Sequence, residues 1–131
     1  MVKATEREPN VYRCRFDGID LAYPVPDRET GEQVNRWRWM FTELQPKNPA
    51  WNPSIDTITT PALTARTNGL KFFTGMLGRP PTSQDDTDDL IGQTFDVTYG
   101  PNQAGRLTII AVTRVGLDDQ PKPVLAGAEL P

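Results

Sequence analysis

Two stretches of strict alternation constrain this chain more than anything else in it. Val11 to Asp17 reads VYRCRFD, with Tyr12, Cys14 and Phe16 on one face and Arg13, Arg15 and Asp17 on the other. Arg36 to Leu44 reads RWRWMFTEL and opposes Trp37, Trp39 and Phe41 to Arg36, Arg38, Met40 and Thr42. Side chains of an extended strand point alternately to its two faces, so a period of two marks a strand with one face in a core. Around these strands, 13 prolines and 10 glycines in 131 residues cut the chain into short elements and exclude long helices. The length suits one domain that buries a core without disulfide or metal support. The expected core spans about residues 10–117, with flexible tails over 1–9 and 118–131.

The remaining elements follow from local chemistry. Gly18 and the stretch PVPDRETGEQVN (24–35) carry turn residues and predict a surface loop. Residues 45–53 hold three prolines and Trp51 and read as a second loop, followed by the β-branched strand SIDTITT (54–60). A helix follows, entered at Thr60-Pro61 or at Thr67-Asn68, firm over Gly69–Leu77 and ended by Gly78 before Pro80-Pro81. An acidic linker, Thr82 to Asp89, leads to strands FDVTY (95–99) and LTIIAVTRV (107–115), joined by the turn GPNQAG. The expected fold is therefore mainly β: a five-stranded OB-fold-like barrel with one α-helix between strands 3 and 4.

Composition narrows the chemistry. Histidine is absent and Cys14 is the only cysteine. The usual zinc sites, Ser-His-Asp and Cys-His machinery and any internal disulfide go with them. Asp85, Asp86, Asp88 and Asp89 lack the glycine and terminal glutamate of a calcium loop and read as a solvated linker. The expectation is a protein that is not an enzyme and needs no cofactor. No apolar run approaches the roughly 20 residues of a membrane span, and the polar start MVKATEREPN has no signal-peptide core. A cytoplasmic location with a reduced thiol is expected.

The Arg36-Trp37-Arg38-Trp39 run combines cations with aromatic faces, as single-stranded nucleic acid requires. Alternation sets the two kinds of side chain on opposite faces, so one face belongs to the core. Either Trp37 and Trp39 fill the barrel, or one of them serves as a platform. On the other face, Arg36 and Arg38 can join Arg13 and Arg15 in a basic patch, unless Asp17, Glu43 or a loop carboxylate neutralises it. Trp51, in its Pro-rich loop, suits base stacking and a lid over the barrel equally; Tyr23 shares the ambiguity, and Lys47 in the same loop as Trp51 can meet phosphate. A net charge of −3 counts against nucleic acid, although its distribution leaves room for a basic face.

The string TNGLKFFTGMLGRPPTSQDDTDDLIGQTFDVTYG, with Leu77-Gly78-Arg79-Pro80 and Leu90-Ile91-Gly92 at their spacing, resembles small proteins of tailed phages and prophages. The likeness covers residues 59 to about 99. It implies an OB-like fold and a part in DNA replication or recombination. The ending AGAELP departs from the acidic, phenylalanine-tipped tail of bacterial single-stranded DNA-binding proteins.

The leading expectation is a non-catalytic single-stranded DNA-binding protein, phage-encoded and at work in the host cytoplasm. Its candidate phosphate contacts are Arg13, Arg15, Arg36, Arg38, Lys47, Arg66, Lys71 and Arg79, and its candidate stacking residues are Trp37, Trp51 and Tyr23. RNA in place of DNA, contacts with host or phage replication proteins, and homo-oligomers are further candidate partnerships. The alternatives are a phage accessory module that binds or inhibits a host protein, and a carbohydrate-binding barrel with tryptophan platforms.

Overall fold

The structure is a computed structural model that describes residues 7–116; most of both expected tails lies outside them. Five strands form one antiparallel sheet: β1 (Asn10–Pro26), β2 (Gln33–Glu43), β3 (Ser54–Thr59), β4 (Thr94–Pro101) and β5 (Leu107–Arg114). Their order across the sheet is β3-β2-β1-β4-β5. Three strands run on consecutively, and the fourth returns by a long connection to lie beside the first, which is a Greek key. That connection carries the one α-helix of the described residues, α1 (Asn68–Leu77), and a 3₁₀ turn at Thr87–Leu90.

The alternation behaves as its period dictates. Tyr12, Cys14, Phe16, Trp39 and Phe41 are fully buried, while Arg13 and Arg15 are exposed. Trp37 shares the inner face, opposite Thr59, and packs half-buried against the core. Trp39 satisfies its indole N–H by donating to Thr59 Oγ1 at 2.9 Å and meets Phe72 of α1 edge-on at 5.7 Å. The helix packs on β5 through Gly75, where a Cβ would sit 1.9 Å from the Val112 carbonyl oxygen.

β1 is much longer than its expected seven residues because it continues through a bulge at Gly18, whose φ of 111° suits glycine. The extra residue resets the phase, so that Ile19 rather than Gly18 pairs with Trp39. The strand curls, pairing with β4 over Asn10–Arg15 and with β2 from Cys14 onward. The expected 24–35 loop shrinks to residues 27–32, because Pro24, Val25 and Pro26 pair with Asn35, Val34 and Gln33. Beyond Arg15 no β4 residue pairs with β1, so these prolines lie on an open edge where a missing N–H costs no ladder bond.

Of the two helix entries, the structure uses Thr67, whose side chain accepts from Leu70 N at 3.3 Å; the Thr60-Pro61 entry is not helical. Gly78 caps the other end with φ 74°. The N-terminal fray expected through residue 9 is anchored from Arg7 onward, by a buried ion pair described below.

The expected barrel does not close. β3 and β5 are the two ends of the sheet, and no ladder joins them. They approach one another at Thr57 and Thr108, whose hydroxyls meet at 3.1 Å. A slot lies between them. Among the described residues no helix is long and apolar enough to cross a membrane.

Candidate nucleic-acid interface

A groove of about 980 Å³ runs over this slot, bounded by the β1–β2 loop, the outer face of β3, the start of α1 and the β4–β5 turn. Its lining brings together Tyr23, Arg28, Arg38, Lys71, Tyr99 and Arg106, with Asp56 the one carboxylate among them. Cross-strand register explains part of the cluster. Tyr23 pairs with Arg36 and sits beneath Arg38, whose guanidinium carbon lies 5.1 Å from the ring centroid, and Arg38 is ion-paired with Asp56 on β3. Arg28, Lys71 and Arg106 form no ion pair among the described residues. Three cations at one concavity with no ion-pair partner among the described residues make a favourable seat for an anion.

The two loops at the groove's ends are built alike. In the first, Asp27 N–H donates to Glu32 O at 2.8 Å and Gly31 N–H to Asp27 O at 2.9 Å. Asp27 Oδ1 accepts from the N–H groups of Glu29 and Thr30 at 2.8 and 3.1 Å. These bonds hold the Asp27 carboxyl below the usual range for aspartate. In the second, Asn102 N–H donates to Arg106 O and Gly105 N–H to Asn102 O, both at 2.9 Å. Asn102 Oδ1 accepts from Ala104 N and Arg106 N at 2.9 and 3.0 Å. Gly31 and Gly105 take φ 73° and 81° respectively.

The single basic patch expected from Arg13, Arg15, Arg36 and Arg38 does not form. Arg13 is paired with Asp96 at 3.0 Å, Arg15 with Asp17 at 2.7 Å, and Arg38 with Asp56. Arg36 lies on the same outer face but does not line the groove. Arg79 is bound bidentately by Asp85, both bonds 2.8 Å, which holds the Asp85 carboxyl well below the usual carboxylate range. Lys47 and Arg66 are exposed in loops away from the groove lining. Of the candidate residues, Tyr23, Arg38 and Lys71 converge on the groove; Arg28, Arg106 and Tyr99 were not foreseen.

Trp51 is a lid, not an exposed stacking platform. Only 9% exposed, it meets Tyr12 edge-on at 6.0 Å and closes one end of the core. The Arg7 guanidinium carbon lies 4.6 Å from the Tyr12 ring centroid and 5.3 Å from that of Trp51. Arg7 also donates to Glu43 Oε1 at 2.7 Å and to Asn52 O at 2.6 Å. Glu43 Oε2 accepts from Lys47 N–H at 2.9 Å, so one buried carboxylate ties the N-terminal segment to the β2–β3 loop. The alternation carried a signal for this pair: Glu43 falls on the same face as Trp39 and Phe41, where an anion requires a buried cation.

No family model, curated protein or solved structure matches the chain.

Proposed function

We propose that this protein is a non-catalytic single-stranded DNA-binding protein that seats its ligand in the groove over β3. The observation that carries the reading is the convergence of Arg28, Lys71 and Arg106, none in an ion pair among the described residues, on a concavity that also holds Tyr23 and Tyr99. Cations that follow a backbone and aromatic faces that stack bases are the two components of sequence-tolerant single-strand binding. We read the architecture as an OB-type barrel left open between β3 and β5. In that fold the face of strands 2–3, with the 1–2 and 4–5 loops, takes oligonucleotides, and the groove shares with it the β1–β2 loop, β3 and the β4–β5 turn. The negative total charge is compatible with this reading, because Asp56 is the one carboxylate in the lining of the groove. A role in replication or recombination is what the phage-like helix segment implies.

Fluorescence anisotropy with a labelled oligo-dT at several salt concentrations tests the proposal. Affinity is expected to fall with salt at a slope of about −0.7 in log–log form for each phosphate neutralised. Arg28→Ala, Lys71→Ala and Arg106→Ala should each flatten that slope, whereas Arg79→Ala should leave it unchanged. Absence of binding at micromolar protein, or an affinity indifferent to salt, refutes the reading.

A further inference from the structure

The two loops that flank the groove share one construction although they lie about 75 residues apart in sequence. Each opens on an Asx residue whose N–H donates to the carbonyl of the residue that closes the loop, Glu32 in one and Arg106 in the other. Each Asx carbonyl accepts from a glycine with left-handed φ, and each Oδ1 gathers two further backbone N–H groups. Each loop contributes one cation to the groove. Arg28 directly follows Asp27, and the Arg106 N–H is itself one of the two donors to Asn102 Oδ1. In an exposed connection, four bonds centred on one residue restrict the backbone far more than turn propensity alone.

We propose that Asp27 and Asn102 are matched positioning residues for this groove: each fixes the loop that carries a ligand-facing arginine before the ligand arrives. The inference rests on the single-stranded DNA reading of the groove. Binding that must first order two loops loses affinity to their conformational entropy, and loops already ordered avoid that loss. The carboxylate of Asp27 serves the loop as an acceptor, since both N–H donors that it binds belong to its own loop. Its charge is therefore separable from its structural role, which makes the inference testable.

Asp27→Asn and Asp27→Ala remove the same negative charge, but only the first keeps the Oδ1 acceptor. With an oligo-dT of about 16 nucleotides, Asp27→Asn should bind as well as the native protein or better, and Asp27→Ala roughly 3- to 10-fold more weakly than Asp27→Asn. The salt slope should be the same in both, because Arg28 still reaches its phosphate, whereas Arg28→Ala flattens it. Asn102→Ala, at the other loop, should likewise weaken binding with no change of slope. Amide hydrogen exchange supplies a readout independent of the oligonucleotide: Glu29 and Thr30 lose protection in Asp27→Ala and keep it in Asp27→Asn. Equal affinities for the two Asp27 variants, or a flattened slope in Asp27→Ala, overturn the positioning role while leaving the DNA reading intact. Failure of the native protein to bind the oligonucleotide removes the DNA reading itself and this inference with it.

Discussion

Arg7 and Arg106 show what separates the two ends of this small sheet. Arg7 keeps only 8% of its side chain exposed, with its charge matched by Glu43 and its plane set against Tyr12 and Trp51. Arg106 is exposed beside an open groove and has no ion-pair partner among the described residues. At the sealed end the cation is a structural element paired with a buried carboxylate. At the open end the cation's field is directed outward. The difference teaches that a count of arginines, or their spacing along a strand, says little about binding until each one's carboxylate has been found.

The sealed end should yield the largest effects. Glu43→Ala leaves Arg7 desolvated with no counter-charge, and unfolding by denaturant should show a loss of about 3–5 kcal/mol. Joint replacement of Arg7 and Glu43 by apolar residues of similar volume should recover most of that loss, since a well-packed apolar pair avoids desolvation altogether. A small effect in the single variant would mean that water reaches the pair and that this end is not sealed. Trp51→Ala should cost about 3 kcal/mol, near the low end of the range for a buried tryptophan because its loop can partly collapse. It should leave oligo-dT affinity unchanged at temperatures where the variant is folded.

A smaller effect at the sealed end depends on pH. Burial pushes the Cys14 thiol up to about 12 and raises the Tyr12 phenol as well. Both native states therefore hold a proton that the unfolded chain releases earlier. The stabilisation is complete below the unfolded thiol value near 9.0 and is lost as pH rises from there toward 12. The loss for one group is about 1.4 kcal/mol per pH unit at its steepest. Denaturation midpoints measured from pH 8 to 11 should fall, and Cys14→Val should make that fall shallower. In the native protein Cys14 should resist thiol reagents until the chain unfolds.

Much of the sealed end was legible in the sequence, and most of the groove was not. Strict alternation divided the side chains of β1 and β2 into two faces, because burial on one face imposes a period of two, but left open which face the core takes. The Gly18 bulge escaped it, since one inserted residue inverts the phase and alternation carries no sign of where that happens. Pro24 and Pro26 look like loop residues by composition and become strand only because β4 stops short of that stretch of β1. Arg28 and Arg106 lie in separate turns, and only the return of β4 beside β1, with β5 outermost, brings them to one groove. Arg7 was read as part of a frayed start, although Glu43 on the core face asked for a cation from somewhere.

The smallest expected effects on stability bear most directly on function. Arg13→Ala and Arg15→Ala break exposed ion pairs worth about 0–1 kcal/mol each, and Arg28→Ala and Arg106→Ala break none among the described residues. All four variants should unfold within about 1 kcal/mol of the native protein. Their binding should diverge. The Arg28→Ala/Arg106→Ala double variant should flatten the salt slope for oligo-dT by about 1.4, two phosphates at 0.7 each. The Arg13→Ala/Arg15→Ala double variant should not flatten it, because Asp96 and Asp17 already neutralise those cations. The reverse outcome, with the slope lost at Arg13 and Arg15, would move the interface to the β1–β4 outer face. It would also show that ligand phosphates displace the carboxylates, so that pairing in the unliganded protein does not remove a cation from service.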